Sequence, residues 1–479
     1  MHVQNHIDGR QVPAASGATL ENWEPATGTV HGSLPDSGAP DVADAVDAAE
    51  RAFPRWAATP APERARVLHR LADALRARAS ELAHAESVDT GKPLSLAAAM
   101  DIPRAVANFD FFADAASQFS SEAHAMEGRA LNYTLRNPLG VVGCISPWNL
   151  PLYLLSWKVA PALAAGNCVV AKPSEVTPVT ADWLGRLSAE AGLPKGVLNL
   201  VHGVGPKVGA ALTAHPAIRG ISFTGSTGTG AEIARTAGPA FKKLSLEMGG
   251  KNPTLVFADC DFDAALATTV RSAFTNQGQI CLCGSRILVE KSLYPRFRDA
   301  LVQQTRALRL GDPLEEATNQ GALVSRQHLD KVLSCLEVAR QEGARVLCGG
   351  RRAEVAGRCR GGWFVEPALL EGLGPASRTN QDEIFGPVAT LQPFDSDEEA
   401  VALANATAYG LAASVWTSNL TRAHRVSARL QSGIVWVNCW MLRDLRTPFG
   451  GMKDSGVGRE GGVESLRFFT EEQNVCIQL

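Results

Sequence analysis

Residues 141–172 read VVGCISPWNLPLYLLSWKVAPALAAGNCVVAK. Val141 to Ser146 is a short β-branched run, Leu152 to Ala165 has the composition of a buried helix, and Cys168 to Lys172 is a second β-branched run. A strand, a helix and a strand in strict turn form the unit of a parallel sheet with crossover helices. The apolar stretch Leu152 to Ala171 is interrupted by Lys158, Pro161 and Asn167. A membrane-spanning helix needs about 20 predominantly apolar residues, so this segment reads as buried helix, turn and strand, and no membrane partner is expected.

Toward the C-terminus the alternation continues: a helix over Val179 to Ala191, strands at Val197 to Val201 and Gly220 to Phe223, a helix after Gly225, and a strand at Lys243 to Glu247. A second series opens at Thr254 to Phe257 and runs to Val435 to Asn438, which predicts two α/β domains in tandem. Upstream, Val42 to Trp56 and Glu63 to Asp89 carry apolar residues at helical spacing. Leu131 to Arg136 and Asn474 to Leu479 are short β-like runs outside both series. Each is too short to fold alone, so they pair with each other or with another subunit, unless the terminus is frayed.

The 479 residues give a length prior of about three domains. With 45% hydrophobic and 20% charged residues, the chain is globular and not disordered. Forty-six Lys and Arg against 49 Asp and Glu leave a formal charge of -3. There is no basic field for a phosphate backbone, and nucleic acid is not an expected partner. The ten cysteines are scattered through a long chain, unlike a secreted disulfide scaffold. Met1 to Val12 lacks the charged start and apolar run of a signal peptide. A reducing, cytoplasmic location is expected.

Four local features could carry chemistry. In Phe274 to Cys283, FTNQGQICLC, a cysteine follows a polar, glycine-containing loop. Such a sulfur can be exposed and can meet backbone N–H dipoles that lower a thiol pKa; the alternative is a small buried hydrophobe. A metal reading of Cys281 and Cys283 fails for want of further ligands, and no metal is expected. Glu247 ends an apolar strand before Gly249 and Gly250, where desolvation would suit a general base; the alternative is a strand-end glutamate paired with Lys251 or Lys172. Ile221 to Gly230, ISFTGSTGTG, places a glycine-rich turn between a strand and a helix N-terminus, an anion site through free backbone N–H groups. Its spacing matches neither the dinucleotide nor the phosphate-loop pattern. In Ser146-Pro147-Trp148-Asn149-Leu150-Pro151 two prolines fix a loop that orients the Asn149 amide, a candidate oxyanion donor or an ordinary turn asparagine.

Together, SPWN at 146–149, KPSE at 172–175, FTGST at 223–227, LEMGGK at 246–251, GQIC at 278–281, EIFGP at 383–387 and PFGG at 448–451 resemble the ordered motifs of the NAD(P)-dependent aldehyde dehydrogenases over nearly the whole chain. The resemblance implies an α/β fold of two Rossmann-type parallel-sheet domains with a small β oligomerisation extension. The division it suggests is residues 1–127 and 139–246 for NAD binding, 247–458 for catalysis, and 128–138 with 459–479 for a homodimer or homotetramer. It also implies roles. Cys281 attacks a small-molecule aldehyde, Asn149 and the Cys281 N–H hold the oxyanion, and Glu247 activates water to release a free acid. Lys172 and Glu175 hold the adenosine ribose, Ser226 with Gly225 the pyrophosphate, and Glu383 and Phe385 the nicotinamide ribose; Ile145, Ser146 and Trp148 line the cofactor site. A carboxylate at 175 favours NAD over NADP. Met248 stands where the family usually has leucine, Thr229 where an apolar β-branched residue is usual, and Leu150 where an aromatic is often found.

The stretch Asn438 to Pro448, NCWMLRDLRTP, falls where this family lines its substrate tunnel. An arginine in a narrow pocket suits a carboxylate, although Asp444 could equally pair with Arg443 or Arg446 at the surface. RDLRTPFGG at 443–451, CLC at 281–283 and DIPR at 101–104 are similar to the 2-hydroxymuconic and 2-aminomuconic 6-semialdehyde dehydrogenases. That similarity implies Arg443 and Arg104 as contacts for the far carboxylate side of the substrate, with Trp157 beside them. Another aldehyde (aromatic, long-chain or amino) would change only the tunnel, and a cofactor-independent cysteine hydrolase would need no nicotinamide.

Overall fold

The computed structural model describes residues 1–479 as two mainly parallel sheets, flanked by helices, with smaller antiparallel sheets around them. In the first sheet the strand order is Arg10–Val12, Asn5–Ile7, Leu198–Leu200, Cys168–Lys172, Val141–Ile145, Ile218–Thr224, Lys243–Glu247 and Gly456–Val457. The five strands from 198–200 to 243–247 run parallel; each strand beyond them pairs antiparallel with its inner neighbour. Val141–Ile145 and Cys168–Lys172 are buried at every position, as strands covered on both faces must be. The chain builds outward from Val141–Ile145 on one side and then returns to add Ile218–Thr224 on the other. At such a reversal the carboxyl ends of the strands open into a crevice that suits a ligand.

The helix Pro151–Ala164 bridges the first two of those strands and is buried on all sides, so an amphipathic pattern would be wrong for it. Its proline at the first position costs no hydrogen bond, because that N–H has no intrahelical partner anyway. The periodic stretch Glu63 to Asp89 is divided at Arg78 into the helices Ala61–Ala77 and Ala79–Thr90. The second ends on Gly91 in the left-handed conformation, φ +77°. One π-helical turn, Ala97–Asp101, then leads into the helix Ile102–Ser117.

The second sheet runs Arg345–Cys348, Ala368–Glu371, Val388–Phe394, Arg286–Glu290, Pro253–Val256, Ala412–Trp416 and Ile434–Val437, parallel except at its first strand. Separate apolar clusters cover its two faces, one around Phe274 and Phe297, the other around Phe257 and Phe394. The segments expected outside both series do pair with each other: Ala130–Pro138 lies antiparallel to Thr470–Gln478, with Thr134 opposite Asn474, and Ala123–Met126 adds a third strand. The strand Gly456–Val457, from the stretch expected in the catalytic unit, joins the first sheet beside Leu246 and Glu247. No helix is long and apolar enough to cross a membrane.

Candidate active site

The carboxyl ends of the central strands present Ile145 and Ser146, Lys172, Thr224 and Gly225, and Glu247. Facing them are the loops that enter the second sheet, 275–283 ahead of Arg286–Glu290 and 383–387 ahead of Val388–Phe394. Between lies a narrow space lined by Cys281, Glu247, Arg443, Tyr153, Met248 and Glu460 among others. Residues far apart in sequence thus meet at one place, and Cys281 and Glu247 share it.

The loop before Cys281 winds through three successive left-handed residues, Asn276, Gln277 and Gly278, at φ +52°, +56° and +70°. Gly278 is required there twice over. Its φ disfavours a side chain, and an added Cβ would lie 2.1 Å from the Gly386 carbonyl oxygen. Behind the turn, the Asn252 amide donates to the carbonyls of Cys281 and Cys283 at 2.7 and 3.0 Å, and the Trp440 indole donates to Leu282 at 2.9 Å. Neither anchor was singled out in the sequence.

Burial pushes the Cys281 thiol well above its usual range, the carboxylates of Glu383 and Glu247 push it further, and the Arg443 guanidinium opposes them. The expectation of a lowered thiol pKa is therefore corrected: desolvation outweighs the loop's dipoles. Glu247 is also raised, first by burial and then by the charge of Glu460, against Lys158, Arg459 and Arg443. It pairs with neither Lys251 nor Lys172, and its buried Oε1 has no hydrogen-bond partner. Glu460, unremarkable in the sequence, accepts from Lys158 Nζ at 2.7 Å and Ser222 Oγ at 2.9 Å, and its Oε2 is unpartnered.

Asn149 does not bond its own backbone. Its amide donates to the Gln279 carbonyl at 2.9 Å, within the Cys281 loop. Its own carbonyl accepts from Lys92 Nζ at 2.9 Å and Asn276 Nδ2 at 3.1 Å.

The groups expected to hold a cofactor gather along the crevice. Lys172 Nζ donates to Glu175 at 2.5 Å. Ser226 caps the helix Thr227–Ala237, and the exposed Thr229 has its Oγ1 2.9 Å from the Ser226 Oγ. The hydroxyls of Ser146 and Thr224 are buried without a partner. Glu383, its pKa raised by burial, accepts from the Gly250 N–H at 2.8 Å. Phe385 sits at φ +60°, its carbonyl bonded to His328 Nε2 at 2.7 Å, and its ring packs edge-on against Trp148 at 5.3 Å. His328 is held well below the usual imidazole range, at about 4, by burial, so near neutral pH it donates as a neutral ring.

Arg443 donates to the Tyr153 hydroxyl at 2.9 Å and lies over the rings of Phe449 and Trp157. Arg104 lies over Tyr153 and Trp157, bonds Asn108 at 3.2 Å, and has a buried Nη2 with no partner. Asp444 pairs with Arg446 and leaves Arg443 without a carboxylate. Trp157 is 2% exposed and belongs to the core; it is the platform under both guanidiniums and not a wall of the space. Leu150 lines the space and packs on Tyr153 and Leu154.

A family model described as "Aldehyde dehydrogenase family" matches residues 12–475. The chain is 49% identical over 479 residues to the 2-aminomuconic semialdehyde dehydrogenase of Danio rerio, covering 99% of this chain and 98% of the relative. It is 48% identical over 483 residues to the 2-hydroxymuconic semialdehyde dehydrogenase of Pseudomonas sp. (strain CF600), covering 100% and 99%. The solved NAD+ complex of an aldehyde dehydrogenase from Bacillus cereus superposes with a TM-score of 0.97 at 39% identity, covering 100% of this chain and 97% of that one.

Proposed function

The chain belongs to the aldehyde dehydrogenase family, and from that premise we propose that it oxidises a carboxylate-bearing semialdehyde, such as 2-hydroxymuconic or 2-aminomuconic 6-semialdehyde, to the acid with NAD. The observation that carries the substrate class is the pair of guanidiniums on one aromatic platform. Arg443 borders the space that holds Cys281, Arg104 keeps a buried N–H group unspent, and neither has a carboxylate partner. An uncompensated positive charge in such a place is costly unless an anion meets it. The relatives named for muconic semialdehydes support the same reading.

In this reading Cys281, as thiolate, forms the carbon–sulfur bond to the aldehyde carbon, and the resulting oxyanion lies between the free Asn149 N–H and the Cys281 backbone N–H. NAD, when bound, accepts the hydride. Glu247 then takes a proton from water, which displaces the acyl group from sulfur and releases the acid. Its raised pKa makes it a stronger base than an exposed carboxylate.

The cofactor crevice fits an NAD molecule by its donor set. Two orphaned hydroxyls, a helix N-terminus and the Lys172 and Glu175 pair lie at the carboxyl ends of parallel strands. Glu175 would accept from ribose hydroxyls and repel a 2'-phosphate, which favours NAD over NADP. Residues 1–127 and 139–246 form the cofactor unit and 247–458 the unit bearing Cys281, apart from the strand Gly456–Val457, which completes the cofactor sheet. The strands in 128–138 and 459–479 are the surface on which copies assemble, as dimer or tetramer, because Leu131, Leu135 and Ile477 are left exposed there. The ten cysteines, all free, suit a reducing cytoplasm.

The test is NADH formation over a panel of semialdehydes and neutral aldehydes with each nicotinamide cofactor. Arg443→Ala is expected to raise KM for a muconic-type semialdehyde roughly 10- to 100-fold, as befits loss of a charge-assisted hydrogen bond, and to leave the KM of a neutral aldehyde nearly unchanged. Equal effects on the two KM values would remove the carboxylate assignment.

A further inference from the structure

Lys92 follows the left-handed Gly91, so its side chain turns back into the protein, where it is 0% exposed. Its backbone is fixed on both sides: the carbonyl accepts from Ser87 Oγ at 2.7 Å and the N–H donates to Thr90 Oγ1 at 3.3 Å. The ammonium reaches two acceptors, the carboxylate of Asp101, also 0% exposed, and the carbonyl oxygen of Asn149 at 2.9 Å.

That carbonyl has a second donor, Asn276 Nδ2 at 3.1 Å, which also reaches the Gln279 carbonyl at 3.3 Å. The Asn149 side chain meets the same Gln279 carbonyl from the other side. Asn149 is thus gripped at its main-chain oxygen by two donors and at its amide by one acceptor, which leaves one amide N–H free. Asp101 closes the π-helical turn that leads into the helix bearing Arg104, so one ion pair fastens the Asn149 loop to that helix.

Stability does not account for this arrangement. Two buried charges lose their hydration, and an apolar pair of similar volume is often as stable or more so; Asp101 even keeps one oxygen without a partner. What an apolar pair could not do is donate a directed hydrogen bond to the Asn149 carbonyl.

We infer that Lys92 is a positioning residue: held by Asp101, it fixes the Asn149 main chain and so aims the free amide N–H at the oxygen of a Cys281 adduct. The inference rests on the proposed role of Asn149 as oxyanion donor. Lys92 touches neither substrate nor sulfur, so its effect runs entirely through Asn149, and this separates it from a residue that merely supports the fold.

The experiment is a double-mutant cycle on kcat with a neutral aldehyde, which leaves the carboxylate contacts proposed for Arg443 and Arg104 out of the measurement. Asn149→Ala is expected to lower kcat by about 10²- to 10³-fold. Lys92→Met should lower it roughly 10- to 100-fold, as misplacement of a catalytic group does, with NAD binding measured by fluorescence titration unchanged. The double variant should be no slower than Asn149→Ala, because the two act as a unit. Lys92→Met with Asp101→Leu, which removes the carboxylate that Lys92 pairs with, should bring the urea midpoint back toward the parent's and keep the kcat deficit. A Lys92→Met loss of the same factor with and without Asn149 would overturn the inference, as would recovery of kcat in the Lys92→Met, Asp101→Leu protein. A normal kcat for Asn149→Ala would instead remove the oxyanion assignment itself, and the inference with it.

Discussion

Cys281 and Glu247 are both biased toward protonation by burial, and Arg443 is the positive charge common to both that opposes the bias, joined at Glu247 by Lys158 and Arg459. Attack needs the thiolate. Because the folded thiol titrates above its usual range, the thiolate fraction rises with pH through the neutral and alkaline region. Alkylation of Cys281 by iodoacetamide is therefore expected to accelerate throughout that region, and Arg443→Met is expected to move the curve to higher pH. A curve that does not move would show that the thiol does not feel Arg443. Glu460→Gln removes a negative charge that raises Glu247 and frees Lys158 of its carboxylate partner. The Glu247 pKa should fall, and the pH midpoint for acyl-enzyme hydrolysis in single-turnover kinetics should fall with it; an unchanged midpoint would refute the coupling. Cys281, Glu247 and Asn149 stand out as candidates in the sequence because glycines or prolines beside them mark turns, but each has an ordinary structural alternative there, and it is the resemblance across seven motifs that selects them. Lys92 and Glu460 do not stand out, because a buried charge betrays itself only through its partner. For Lys92 the partner carbonyl lies 57 positions away, and for Glu460 the lysine lies 302 positions away.

The elements that present these side chains were legible to the extent that their burial is uniform. Strands covered on both faces and the helix Pro151–Ala164 appear as unbroken apolar runs, and their limits fall within a residue or two of those expected. The break at Arg78 and the π turn at Ala97–Asp101 left no mark, because alanine-rich sequence is compatible with either helix geometry. The turn before Cys281 is the element most exposed to a single change. Gly278→Ala would place a methyl against the Gly386 carbonyl at φ +70°. A loss of at least about 2 kcal/mol is expected from the backbone conformation and the contact together, with activity reduced because Cys281 and the Glu383 loop are displaced together. A shift in the urea midpoint, measured beside kcat, checks both; a variant with the parent's midpoint and activity would show that the turn tolerates a side chain.

Across the whole molecule, the tail and the strand Ala130–Pro138 pair over their full lengths. Removal of residues 470–479 bares one edge of a three-stranded sheet and, on the proposed assembly through these strands, is expected to give smaller species than the parent in sedimentation velocity; an unchanged size of the assembly would place its surface elsewhere. The two-sheet architecture could be read from the alternation of strand and helix, whereas the strands that finish the edges of the first sheet, Asn5–Ile7, Arg10–Val12 and Gly456–Val457, could not, since runs of two or three residues carry no periodicity. The placement of Gly456–Val457 beside Lys243–Glu247 has a consequence during synthesis. The strand that ends in Glu247 leaves the ribosome about 200 residues before the one that covers it, an interval of roughly 10 to 40 s at ordinary elongation rates. For that time the nascent chain carries an open sheet edge, a template for pairing with a neighbouring chain. A premature stop anywhere between the two strands would release a product with that edge permanently bare, so truncated forms of this protein are expected to be substrates for chaperones and proteases and not soluble half-enzymes.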